Sequence, residues 1–184
     1  MPRKAIPLPD AEYLRSILLY VPATGVLFWR QRPREHFATA NAWNTWNSRY
    51  ADSEAGAARS DGYQAVTIDA RIYLAHRLIW KIVHGTDPVA QIDHRRLSSR
   101  DNNIDNLRAA TNGQNGQNRR CASKSLTGFK GVYPVNGSRR HPYMAQVHVN
   151  GSPIYLGVYE TAEEAHAAYC AAARKHFGEF FNPG

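Results

Sequence analysis

The dipeptide Asp93-His94, at the end of the short run Val89-Ala90-Gln91-Ile92, is the pair of side chains in this sequence best suited to chemistry. Neighbouring residues of a strand point to opposite sides. One can therefore offer a carboxylate to a divalent cation while the other offers an imidazole that takes a proton from water. Hydrolysis of a phosphodiester needs both: a base for the attacking water, and positive charge for the phosphate and the departing 3′ oxygen. A second ligand and a group that fixes the imidazole must come from elsewhere. Cys121 and Cys170 stand far apart with no CxxC pair, so neither a disulfide framework nor a structural zinc site is encoded. Any metal is expected on oxygen or imidazole ligands.

The net charge of +8 is concentrated beside this pair. From Arg95 to Arg140 stand ten basic residues (Arg95, Arg96, Arg100, Arg108, Arg119, Arg120, Lys124, Lys130, Arg139, Arg140) against two acidic ones, Asp101 and Asp105. Elsewhere the charges balance, so the middle of the chain is the electrostatic footprint of a polyanion partner. A membrane partner is not expected, because the basic residues lie among Asn, Gln, Gly and Ser and no apolar run is long enough to span a bilayer. The opening MPRKAIPLPD has no apolar signal core, and a cytoplasmic location is the expectation. With 184 residues, 43% of them hydrophobic, the chain can bury one modest core or two small ones.

The elements that must position these residues follow from periodicity and turn chemistry. Asp10 caps a helix running to about Tyr20, and Thr24-Gly25 turns the chain into the strand Val26 to Trp29. Residues 31–60 show little periodicity and are expected as loop anchored by Trp43 and Trp46. Gly62 to Ile68 and Arg71 to Leu74 form a hairpin about Asp69-Ala70. A helix runs from His76 to His84 with Gly85 as its C-cap. Ile104 to about Asn118 is a further ordered unit, followed by a linker rich in Ser, Lys and Arg. In the last segment, Asn150-Gly151 is a hairpin turn that pairs Val149 with Ser152, Val147 with Ile154, Ala145 with Leu156 and Tyr143 with Val158. That pairing puts Met144, Gln146, His148, Pro153, Tyr155 and Tyr159 on the opposite face. Thr161-Ala162-Glu163-Glu164 is a capping box opening a helix whose small residues Ala165, Ala168 and Ala172 lie on the apolar face of the sheet. The polar sheet face stays uncovered.

Over about Tyr63 to Asn118 the sequence resembles the HNH endonuclease family in its homing and phage-type branch. The resemblance is carried by YLAHRLIWKIVHG, IDH, DNNIDNLRAAT and GQN. It implies a ββα-metal module in which His94 is the general base, Asp93 and Asn115 hold one divalent metal, and Asn106 holds the loop and orients His94. The intervals of twelve residues from His94 to Asn106 and nine from Asn106 to Asn115 agree with it. Oxygen ligands of this kind suit one Mg²⁺, or Mn²⁺, per site. His76 matches a further family position, with packing against the centre as its role. Arg95, Arg96, Arg100 and Arg108 would grip phosphates near the cut. One departure stands out: Arg96-Leu97 replaces the Asn-Gly that relatives commonly carry there.

From Leu126 to Asn182 the sequence looks like the ethylene-response-factor (Apetala-type) DNA-binding domain, through GFKGV, YMAQVHV, IYLGVYETAEEAHAAYCAAARKHFG and the final FN. The resemblance implies that the uncovered sheet face enters the major groove of double-stranded DNA. Lys130, Tyr133, Gln146, His148 and Tyr155 would meet the DNA there, with Arg139 and Arg140 reaching phosphates; Arg119, Arg120 and Lys124 extend the basic surface along the linker. Family members hold arginines where this chain has Lys130, Tyr133 and His148, and tryptophan where it has Tyr155, so their sequence preference does not transfer.

The fold class expected is therefore α+β: an N-terminal part over 1–60, a ββα-metal nuclease domain over 61–120, a basic linker over 121–127, and over 128–184 a three-stranded antiparallel sheet packed on one helix. A monomer that nicks one strand is expected ahead of a dimer that cuts both. The alternative is a DNA-binding regulator that retains the nuclease fold without turnover. An RNA-binding protein is the weaker rival, because the sheet lacks exposed Phe/Tyr pairs on adjacent strands.

Overall fold

The computed structural model describes residues 7–122, 125–137 and 140–184, which divide into two compact units, 1–109 and 110–184. Part of the linker expected at 121–127, Ser123 and Lys124, lies outside the described residues. Among the described residues no helix is long and apolar enough to cross a membrane.

The first unit opens with helix α1 (Ala11–Ile17), capped by the Asp10 carboxylate accepting from the Glu12 N–H. It ends three residues before the expected Tyr20. Leu18 to Tyr20 continue the apolar pattern, but strand β1 (Leu18–Val21) pairs antiparallel with β2 (Val26–Trp29), and ladder bonds there replace helical ones. The stretch expected as loop contains helix α2 (Ala40–Tyr50), capped by Thr39. None of its residues is fully buried, which is why its pattern is weak. Long-range contacts fix it. Trp43 Nε1 and Asn47 Nδ2 both donate to the Arg32 carbonyl, and Trp46 packs edge-on to Trp29. The Arg32 guanidinium lies over Phe37 and Trp46 and bonds to Asp69 and the Tyr13 hydroxyl.

Strand β3 (Ala57–Ala58) pairs with β4 (Gln64–Ile68), and β4 with β5 (Arg71–Leu74), through a turn in which Asp69 and Ala70 both take positive φ. Helix α3 (Ala75–His84) follows, ending at Gly85 in the left-handed conformation. Its face Ala75, Leu78, Ile79 packs with Leu14, Ile17, Leu18, Leu27, Val66 and Ile68 into the core of this unit. Truncating such a buried leucine or isoleucine to alanine costs about 2–5 kcal/mol. Strand β6 (Gln91–His94) pairs with β7 (Leu107–Ala110), and Ile92 and Leu107 drop into the same core.

The second unit carries helix α4 (Asn112–Gln117), opened by a Thr111–Gln114 capping box, and an antiparallel sheet of β8 (Val132–Pro134), β9 (Tyr143–Val149) and β10 (Ser152–Tyr159) in the order β10-β9-β8. The Asn150-Gly151 turn has positive φ at both residues, which the twist of a two-residue hairpin favours. Val149↔Ser152 and Val147↔Ile154 pair as expected. Beyond Tyr155 the register shifts by one: Ala145 meets Gly157 instead of Leu156, and Tyr143 meets Tyr159 instead of Val158. Gly157, at φ +128°, allows the bulge. As a result Tyr159 turns inward among Val132, Ala145 and Ala165, while Val158 is left exposed. Helix α5 (Ala162–Phe177), with the Thr161–Glu164 capping box, lays Ala165, Ala168, Tyr169 and Ala173 on the sheet. Gly131 makes room for this, since a Cβ there would lie 2.0 Å from the Tyr169 ring.

Candidate active site and nucleic-acid interface

Strand β6 delivers Asp93 and His94 as side-chain neighbours on a buried strand, each 5% exposed. The chain then turns sharply, Leu97 N–H donating to the His94 carbonyl at 3.0 Å. Leu97 adopts φ +57°, the left-handed conformation that glycine takes readily and leucine at a cost of about 1–2 kcal/mol. The turn is thus formed with Arg96-Leu97 in place. Asn106, wholly buried, closes the loop: its Oδ1 accepts from the Arg96 N–H at 2.9 Å, its Nδ2 donates to the Asp101 carbonyl at 2.7 Å, and its own carbonyl accepts from the Arg95 N–H. The start and the middle of the 95–106 loop are therefore tied to the residue that ends it.

Behind the loop stands the N-terminal hairpin. The Tyr20 hydroxyl accepts from the Ile104 N–H at 2.9 Å, Asn103 Nδ2 donates to the Pro22 carbonyl, and Gly25 lies so close that a Cβ would come within 2.5 Å of the Asn103 nitrogen. These contacts hold Asn102, 1% exposed, against the imidazole: His94 Nε2 and Asn102 Oδ1 are 3.0 Å apart. Sequence reading passed over Asn102, since an asparagine in a polar loop is ordinarily a turn residue. The ring of His76 stands edge-on to His94 at 5.1 Å, and Tyr63 touches both. Burial pushes the His76 imidazole down to about 3, with repulsion from His94 and Arg77 adding to it, so His76 is a neutral packing partner.

Asp93 is paired with an arginine. Arg108, on β7, donates to Asp93 Oδ2 from Nη2 at 2.7 Å and from Nε at 2.9 Å, both side chains being buried. Arg108 was expected at a phosphate; its guanidinium instead faces the carboxylate. Arg95, Arg96 and Arg100 are exposed, Arg96 within reach of Asp101. Asn115 lies half-buried on α4 in the second unit. Among the described residues no group of three or more His, Cys, Asp or Glu side chains could hold a metal ion. A carboxylate such as that of Asp93 suits a hard cation that keeps several waters and takes further oxygens from a bound phosphate, as Mg²⁺ does.

On the second unit the sheet face away from α5 presents Tyr133, Met144, Gln146, His148, Tyr155 and Val158, with Tyr155 61% exposed. Gln146 and His148 touch through their side-chain nitrogens. Arg119, Arg120 and Arg140 are exposed. Lys130, expected at the DNA, has its ammonium on three backbone carbonyls, those of Gln117, Arg119 and Asn182, at 2.7, 2.7 and 3.0 Å. Burial pushes it down from the ordinary lysine value. Lys124 and Arg139, also expected at the DNA, lie outside the described residues.

The model of the HNH endonuclease family matches residues 73–117, the segment from β5 to the end of α4. A nuclease-type hydrolase is the class this match supports. No curated protein and no solved structure matches the chain.

Proposed function

We propose that this protein is a metal-dependent DNA endonuclease of the HNH type that hydrolyses phosphodiester bonds, and that its second unit grips duplex DNA. The observation that carries the reading is the buried Asp93-His94 pair at the end of β6, with the loop after it locked by Asn106. His94 takes the proton from the attacking water. Asn106 keeps the loop, and with it the imidazole, in place. Asp93 would hold one Mg²⁺ or Mn²⁺, which would supply positive charge for the phosphate and the departing 3′ oxygen. Arg95, Arg96 and Arg100 draw the phosphate backbone toward this edge.

In the second unit we assign the open sheet face, with Tyr133, Gln146, His148 and Tyr155, to the major groove, and Arg119, Arg120 and Arg140 to phosphates, in the manner of ethylene-response-factor-type domains. Lys130 is not counted among the contacts, given its three carbonyl partners. Tyr133 and Tyr155 lie on β8 and β10 with β9 between them, an arrangement that favours duplex over stacked single strands. A monomer acting on one strand at a time is the simplest agent.

The test is supercoiled plasmid with Mg²⁺, with and without chelator. The native protein is expected to open circles only with the cation, and His94→Ala to leave them closed. Equal relaxation by His94→Ala would overturn the reading. The Arg108 guanidinium on Asp93 favours one second reading, a DNA-binding regulator without turnover; tight, salt-dependent duplex binding with no cation-dependent relaxation would point to it.

A further inference from the structure

A line of side-chain hydrogen bonds leads from His94 out to the surface of the first unit. His94 Nε2 meets Asn102 Oδ1 at 3.0 Å, Asn102 Nδ2 donates to Gln64 Oε1 at 3.3 Å, and Gln64 Nε2 donates to Glu54 Oε1 at 3.2 Å. Glu54 is exposed beside a cavity of about 260 Å³ lined by Gly25, Tyr63, Gln64 and Arg100 among others; Asn102 is buried. The chain has a direction that chemistry alone dictates. An ionised carboxylate only accepts, whereas a carboxamide donates at one end and accepts at the other. Glu54 therefore requires the NH₂ of Gln64. The Gln64 oxygen then faces Asn102 and requires its NH₂, and the Asn102 oxygen faces His94 and requires an N–H at Nε2. A neutral imidazole has one N–H, so its lone pair is then on Nδ1.

We infer that Glu54, Gln64 and Asn102 are positioning residues that select the Nε2–H tautomer of His94 and so make Nδ1 the proton-accepting nitrogen. This rests on the reading of His94 as the general base. None of the three needs to touch substrate, since each acts through the next. The backbone supports the arrangement: Gln64 is paired with Ala58 at the start of β4, Glu54 forms a bridge to Phe28, and Asn102 is held by Tyr20 and by the close approach of Gly25. The N-terminal hairpin and the β3–β4 pair thus become part of the apparatus that orients the base.

The experiment is long-range ¹H–¹⁵N correlation of the His94 ring in the full-length protein without metal or DNA, its signals assigned by their loss in His94→Ala. The native protein is expected to show the Nε2–H pattern. Glu54→Lys, a surface change that offers only donors, reverses the demand along the line, and an Nδ1–H pattern should emerge. Glu54→Gln can still accept and should keep the native pattern. In plasmid nicking, Glu54→Lys and Asn102→Leu should lower kcat about 10–100-fold with KM nearly unchanged, the size usual for groups that orient a reacting residue. An Nδ1–H pattern in the native protein, or a Glu54→Lys ring indistinguishable from native, would overturn the inference. If the native protein cuts nothing while Glu54→Lys still moves the tautomer, the positioning line stands and the nuclease reading alone falls.

Discussion

Arg108 grips Asp93 through two hydrogen bonds to the same carboxylate oxygen, at 2.7 and 2.9 Å, with both side chains out of solvent. Removing one partner of a buried ion pair leaves an uncompensated charge, at a cost of about 3–5 kcal/mol. Arg108→Met should therefore unfold at markedly lower urea concentration. Adding Asp93→Leu should recover most of that loss, because an apolar pair needs no counter-charge. A double variant no more stable than Arg108→Met would show that the carboxylate is not the source of the penalty.

Leu97 occupies a left-handed turn that a side chain resists. Leu97→Gly should leave stability unchanged or raise it by about 0.5 kcal/mol, while Leu97→Val, branched at Cβ, should lower it by about 1 kcal/mol or more. Denaturant midpoints of the two variants decide this, and the same order for both would argue against strain at the turn.

Lys130 and Arg140 are both basic and close in sequence, yet their substitutions should separate. Lys130→Met removes three charge-assisted bonds and should lower stability by about 2 kcal/mol while leaving the salt slope of DNA binding alone. Arg140→Ala should do the reverse, lowering the slope of log K against log salt by about 1 with stability held. Fluorescence anisotropy across a salt series, beside thermal melts, reads both.

His76 gives the fold a pH dependence of definite sign. Its folded value, about 3, lies below the ordinary 6.5, so above pH 6.5 it contributes nothing to the slope. As the pH falls below 6.5 the unfolded chain binds a proton that the folded chain refuses, and stability declines until about pH 3. By pH 5 the loss from this group is about 2 kcal/mol. His76→Phe should show a shallower decline in urea midpoint between pH 7 and pH 5; parallel declines would remove His76 as the cause.

Features written in neighbouring residues were legible beforehand. The Asp69-Ala70 and Asn150-Gly151 hairpins, the Gly85 cap, the Thr161–Glu164 capping box and the short strand that runs into Asp93-His94 depend on local turn chemistry and periodicity. Features decided at a distance were not. Helix α2 has no buried stripe and is held by Arg32 and Trp29. Strand β1 reads as helix until its partner β2 is known. The bulge at Leu156-Gly157 shifts a register that the turn alone predicts unbroken. Asn102 reaches Gln64 across thirty-eight residues, and Arg108 finds Asp93 across fifteen. Neither link has a signature shorter than the fold.

The brace that the hairpin of β1 and β2 applies through Tyr20, Pro22 and Gly25 bears on how the protein could be minimised. A fragment trimmed to the stretch 73–117 would keep every signature amino acid and discard the buttress behind them. The loop after His94 would swing, and the isolated piece would be a motif without a machine.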